Sequence, residues 1–172
     1  MEIKLLSREE QERIYPQVLE MLTEADGDFV PPLSSRSSSV QQTLTGNTTQ
    51  RGGVQDYFAE LTRQRFAAVL EGETLVAFVS YKEDYICEHI PPETLPNIYL
   101  TTLIVRPSIR GQGVTTALYK MLFAAYADRN IFTRTWSTNG AHIRVLEKYG
   151  FSLIKTLPDH RGPGIHTVYF QK

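Results

Sequence analysis

The stretch that most constrains this chain is Ile98–Thr116, IYLTTLIVRPSIRGQGVTT. β-Branched and apolar residues from Ile98 to Val105 predict a buried central strand, ended by Arg106-Pro107. Val114, Ala117, Leu118, Met121, Leu122 and Ala125 then fall at i, i+3, i+4, i+7, i+8 and i+11, which predicts a helix with one buried face. Between strand and helix stands Arg110-Gly111-Gln112-Gly113. A helix start leaves amides without intrahelical partners and carries partial positive charge. The glycines let backbone approach a bulky anion because no Cβ intervenes. Arg110 adds a permanent charge, and the whole reads as a pyrophosphate cradle.

Three phosphate-binding patterns compete for this turn. A P-loop requires Lys and then Ser or Thr after its second glycine, where Val114 stands. A dinucleotide fingerprint requires a third glycine, where Thr116 stands, and an acidic residue further on that is missing. The third pattern is the coenzyme A loop of the GNAT acetyltransferases: Arg or Gln, two residues, Gly, one residue, Gly or Ala. Arg110-x-x-Gly113-x-Thr115 resembles it, with Thr115 departing at the last small residue. Asn139–Phe151, NGAHIRVLEKYGF, is similar to the family's other signature, an Asn opening a helix that ends in Gly-Phe. The resemblance covers roughly Ile98 to Phe151, and the earlier half agrees in its order of elements.

The resemblance implies an N-acetyltransferase that moves an acetyl group from acetyl-CoA to an amine in a ternary complex. It implies that Leu103, Ile104 and Val105 offer backbone groups to the pantetheine arm, one amide polarising the thioester carbonyl. Arg110, Gly111, Gln112, Gly113, Val114 and Thr115 would hold the pyrophosphate, and Asn139 would either bond the arm or cap its helix. Family members often place a Glu base where Thr102 stands and a Tyr acid where Leu146 stands; Tyr149 is out of register for that role. An attacking amine must lose a proton and a departing thiolate gains one. His142, one helical turn before Leu146, is therefore the candidate acid, against a packing role beside Val145. Glu83 is the candidate base, against a solvated loop charge, with Asp84, Glu88 and His89 as alternatives. Positioning alone is the third option. The departures also keep alive a non-catalytic acyl-CoA-binding or sensor module.

The rest of the chain gives the architecture. Ser7 and Glu10 form an S-x-x-E capping box before a helix carrying Ile14, Val18 and Leu22, which Pro16 is expected to kink or shift. Residues 26–53 turn polar and predict a long loop with docked segments at Phe29, Val30, Leu33, Val40 and Leu44, either mobile or forming a substrate-side wall. A helix is expected over 56–65, a hairpin over 66–81 turning at Gly72, an irregular stretch over 82–97, and strands over 131–136, 151–157 and 165–170 around a helix at 139–149. The mixed order predicts an α/β fold with a mixed sheet in three α/β/α layers, as a single domain over 1–172. Asp159–Gly164 is either a polar hairpin turn or a border of the acceptor pocket.

A formal net charge of -1 gives no global field for nucleic acid or membrane. Cys87 is the only cysteine, which excludes an internal disulfide or a cysteine-rich zinc site, and it is a weak candidate acyl carrier. The start lacks a secretory apolar stretch and no window is long enough to span a bilayer, so the expected address is cytoplasmic. Expected partners are a small-molecule or peptide amine; a homodimer is compatible with the sequence. The acidic run from Glu83 to Glu93 suggests a cationic acceptor.

Overall fold

The computed structural model describes residues 1–45 and 53–172. One seven-stranded sheet runs in the order β1-β2-β3-β4-β5-β7-β6. Its strands are β1 (Glu2–Leu5), β2 (Arg65–Glu71), β3 (Thr74–Glu83), β4 (Asn97–Val105), β5 (Asn130–Trp136), β6 (Ser152–Leu157) and β7 (Thr167–Gln171). Only the β4–β5 pair is parallel. The helices are α1 (Arg8–Ala25), α2 (Gln55–Leu61), α3 (Val114–Ala125) and α4 (Gly140–Lys148). α1 and α2 bury Val18, Leu22, Tyr57 and Leu61 against Phe66, Phe78 and Ile104 on one face of the sheet. α3 and α4 bury Leu118, Leu122 and Leu146 against Ala67, Val79 and Leu100 on the other. The three-layer mixed α/β architecture expected from the order of elements is the one observed.

Local chemistry explains the element boundaries. At the start of α1 both arms of the capping box form: Ser7 Oγ accepts from the Glu10 amide, and the Glu10 carboxylate accepts from the Ser7 amide at 2.8 Å. Lys4, at 2.6 Å, and that amide hold the Glu10 carboxyl down at about 2. Pro16 neither shifts the start of α1 nor ends it. It sits on the exposed side of α1, so the Glu12 carbonyl that its ring deprives of a donor can turn to water. α2 is shorter than expected, and β3 is longer, running on to Glu83. In the loop after α1, 3₁₀ turns form at Asp26–Asp28 and Leu33–Ser35, and Leu33 and Leu44 are fully buried. Gly52, part of the same expected loop, lies outside the described residues. Gly72 turns the β2–β3 hairpin at φ +60°.

Two irregularities in β4 prepare the site. Its register against β3 slips between Ser80–Thr102 and Tyr81–Leu100, leaving Thr101 as the extra residue of a bulge. Its parallel ladder with β5 stops at Leu100–Thr133, although both strands continue. Beyond that pair they splay apart. Among the described residues no helix is long and apolar enough to cross a membrane, and no His, Cys, Asp and Glu cluster could hold a metal.

Candidate active site

The splay opens a cleft of about 510 Å³. Its apex is closed by Thr133, whose Oγ1 donates to the Leu100 carbonyl at 3.1 Å. One wall is the free edge of β4 from Thr101 to Val105, and the other is β5 from Thr133 to Trp136. At its far end lies the glycine turn. Gly111 and Gly113 have φ of +78° and +77°, which only glycine adopts without strain, and a Cβ built on either meets nothing within 4 Å. Open space therefore faces both. Gly113 is the N-cap of α3 and supplies no side chain, and the first intrahelical bond runs from the Ala117 amide to the Gly113 carbonyl at 3.0 Å. The amides of Val114, Thr115 and Thr116 accordingly project without helical partners toward that space. Arg110 Nε donates to the Val105 carbonyl at 3.1 Å, which fixes the guanidinium across the turn, and its Nη2 reaches Asp28 at 3.4 Å. Gln112 bonds the Ser108 carbonyl instead of facing the cleft.

The α3–α4 side of the cleft is lined by Tyr119, His142 and Val145. Tyr119 Oη and His142 Nε2 are 2.6 Å apart. Burial pushes the His142 imidazole down to about 4 and the Tyr119 phenol up, so the pair is neutral near pH 7. Asn139 makes no side-chain cap on α4. Its amide instead donates to Thr135 Oγ1 at 2.9 Å, holding the side chain at the cleft wall with its carbonyl oxygen unused among the described residues. Leu146 is fully buried in the core.

On the opposite face the two threonines of the bulge are engaged. Thr102 Oγ1 lies 2.6 Å from the buried Tyr57 hydroxyl, and Thr101 bonds Ser80 and Gln64. Gln64 continues to Ser39 and Glu60 at 2.8 and 2.7 Å. Glu83 is not among the cleft residues. Its position on β3 pairs with Ile98, near the other end of β4 from Leu103, roughly 15 Å away at strand rise. Its carboxylate accepts from Tyr126 at 3.2 Å. Asp84 faces Arg129 and Glu88 faces His89, so none of these acidic residues lines the cleft. Cys87 packs against the cluster of Ile90, Tyr99, Phe132 and Tyr169. The turn before β7 supplies no lining residue of the cleft; its Arg161 lies over the ring of Trp136, which does line it.

Residues 35–151 match the model described as the acetyltransferase (GNAT) family, which is more than half of the chain. The chain belongs to the GNAT acetyltransferase family. Among solved structures, a ribosomal-protein-alanine N-acetyltransferase from Brucella melitensis is similar, with TM-score 0.65 and 16% identity over 100% of this chain and 99% of that one. An aminoglycoside 6'-N-acetyltransferase from Enterococcus faecium has TM-score 0.67 and 15% identity over 100% and 96%. A putative acetyltransferase from Salmonella typhimurium, solved with acetyl-CoA, has TM-score 0.63 and 14% identity over 99% and 92%. At these identities the likeness is one of fold. No curated protein sequence matches the chain. The co-substrate of this GNAT domain is acetyl-CoA. The site fits it: open space beside two left-handed glycines, unpaired amides at α3 and a clamped Arg110 suit a diphosphate.

Sequence reasoning did not single out Phe29, Arg134 or Trp136 as residues of the cleft wall, where the structure places them. The available signal was Arg134, a charge in the middle of an otherwise apolar and threonine-rich strand.

Proposed function

We propose that this GNAT domain transfers acetyl from acetyl-CoA to an amine by direct attack in a ternary complex. The observation that carries the reading is the β4 edge, unpaired from Thr101 onward and running straight to the amides at the start of α3. A pantetheine arm can complete that edge as a strand would, with its diphosphate at residues 110–115. When bound, the thioester supplies an acetyl carbon already activated toward an amine. Backbone groups of Leu103, Ile104 and Val105 orient the arm, and one of their amides stabilises charge on the carbonyl oxygen. The Asn139 carbonyl oxygen is placed to accept a hydrogen bond from the arm.

His142 is assigned a hydrogen bond to the departing sulfur, with Tyr119 holding its Nε2, and the proton the thiolate gains is the one the attacking amine sheds, passed through water. A neutral imidazole suits this, since it donates from one nitrogen while the other accepts. Glu83 stands outside the cleft, and Thr102 is committed to Tyr57. We therefore assign the amine's proton to water, and the rate chiefly to positioning of the two substrates. A cytoplasmic location, where acetyl-CoA is available, completes the proposal.

The test is calorimetric titration with acetyl-CoA, followed by thiol release against an amine panel. Binding in the micromolar range with amine-dependent thiol release is expected. Binding without turnover for any amine would point instead to a non-catalytic acyl-CoA sensor.

A further inference from the structure

Three arginines gather at the β5 end of the cleft from distant parts of the sequence. Arg134 lines the cleft itself. Arg36 lies over the Phe29 ring at 5.7 Å and Arg161 over the Trp136 ring at 5.9 Å, and those two rings are 5.6 Å apart. Arg36 and Arg161 are only 4% and 6% exposed. A buried guanidinium ordinarily requires a carboxylate, because desolvation of an unpaired charge is costly. None of the three has an ion pair among the described residues, and the segment outside them, 46–52, contains no Asp or Glu. Asp26, whose field reaches Arg36, spends its two oxygens on the Ser34 amide and hydroxyl at 2.7 and 2.8 Å. Glu60 is taken by Ser39, Gln64 and Lys82.

The arginines make do with neutral oxygens. Arg36 Nε and Nη2 donate to the Pro31 carbonyl, Arg134 Nη1 to Tyr169 and Nη2 to the Ser39 and Gln41 carbonyls, and Arg161 to Thr167 and the Val30 carbonyl. One nitrogen of each, Arg36 Nη1, Arg134 Nε and Arg161 Nη2, takes no acceptor among the described residues, and none of the three is sealed from solvent, so each is open to an incoming group. Beside them the Tyr99 hydroxyl is buried without a partner among the described residues. Burial, then the neighbouring Arg134, pulls Arg36 down to about 10; burial, then Arg36 and Arg134, pulls Arg161 down to about 9. Arg134 thus bears on both Arg36 and Arg161 as a like charge, while burial of Arg134 itself is outweighed by its neighbours Tyr99 and Tyr169, which push it up.

We propose that the acceptor amine carries an oxyanion group, carboxylate or phosphate, and that Arg134, backed by Arg36 and Arg161, receives it. The inference rests on the acetyltransferase reading and replaces the cationic acceptor that the acidic run at 83–93 suggested. An anion seated there offsets part of the cluster's positive charge and leaves the amine directed along the cleft toward β4. Guanidinium forks suit both anions, which the panel below separates.

The experiment compares acetyl transfer by the wild-type chain to matched acceptors: amino acids against their carboxamides and decarboxylated amines, and O-phosphoethanolamine against ethanolamine. In at least one series the anion-bearing member should have a kcat/KM at least about tenfold higher. That preference should fall to within about threefold in Arg134→Gln, while coenzyme A affinity stays unchanged. Arg134 also holds loop carbonyls, so Arg134→Gln could unfold; the wild-type preference then decides alone, with Arg134→Lys as the milder variant. Equal rates for charged and uncharged partners would overturn the anion site and leave the transferase standing. No transfer to any member, with N-acetylglycine binding the coenzyme-loaded protein and N-acetylglycinamide not, would overturn the transferase and the acceptor role together.

Discussion

Replacing Gly113 by alanine separates backbone strain from coenzyme binding. Gly113 holds φ +77°, and an alanine there costs about 1–2 kcal/mol of stability. For a chain of this size that lowers Tm by roughly 2–8 °C. The added Cβ meets nothing in the protein, so the folded structure has no clash to resolve. With coenzyme bound, that methyl enters the space assigned to the diphosphate and displaces it from at least one amide. A hydrogen bond to a charged group contributes about 1.5–3 kcal/mol, so affinity should fall about tenfold to a hundredfold. Gly72 is the matched control: φ +60°, equally open space, and a hairpin turn that contributes no residue to the cleft. Gly72→Ala should lose similar Tm and keep wild-type affinity. Differential scanning fluorimetry and calorimetric titration with coenzyme A read both quantities. Equal affinity in Gly113→Ala and wild type, or equal losses in the two variants, would refute the cradle.

His142 should make stability depend on acid. Its folded-state value of about 4 lies below the ordinary 6.5, so the unfolded chain binds more protons between them. Stability is therefore full above about pH 6.5 and falls toward pH 4, by an amount of order 1–3 kcal/mol. His142→Gln should flatten that part of a Tm-against-pH curve and lower kcat at neutral pH with little change in KM for acetyl-CoA. An unaltered curve would contradict the burial argument, and unaltered kcat the hydrogen bond to the departing sulfur. Asn139→Ala should raise KM for acetyl-CoA roughly tenfold, and loss of its bond to Thr135, about 0.5–1.5 kcal/mol, should lower Tm by roughly 1–6 °C. A large Tm loss with unchanged KM would show a purely structural residue.

The sequence was most readable where one periodicity ruled. α3 occupies the span its apolar positions marked out, and the Ser7–Glu10 box marks the start of α1 as built. Pro16 misled because the cost of a helical proline depends on whether the orphaned carbonyl can reach water, which is a tertiary property. The glycine turn was legible because a strand, two glycines and a helix are contiguous. The arginine cluster was not. Arg36 sits in a serine-rich loop and Arg161 in a turn, and only strand order brings them beside Arg134. Glu83 failed for the converse reason: β3 runs on and carries it away from the splay. Asn139 could be read as cap or ligand holder from sequence, and the structure removes the cap, its amide bonding Thr135 instead.

The account turns on how β4 and the start of α3 hold the donor, and a crystal structure of the chain soaked with coenzyme A tests that most directly. The diphosphate should lie against residues 110–115 and the pantetheine arm along Leu103–Val105, between the splayed strands. Density for the coenzyme anywhere else on the molecule would contradict it.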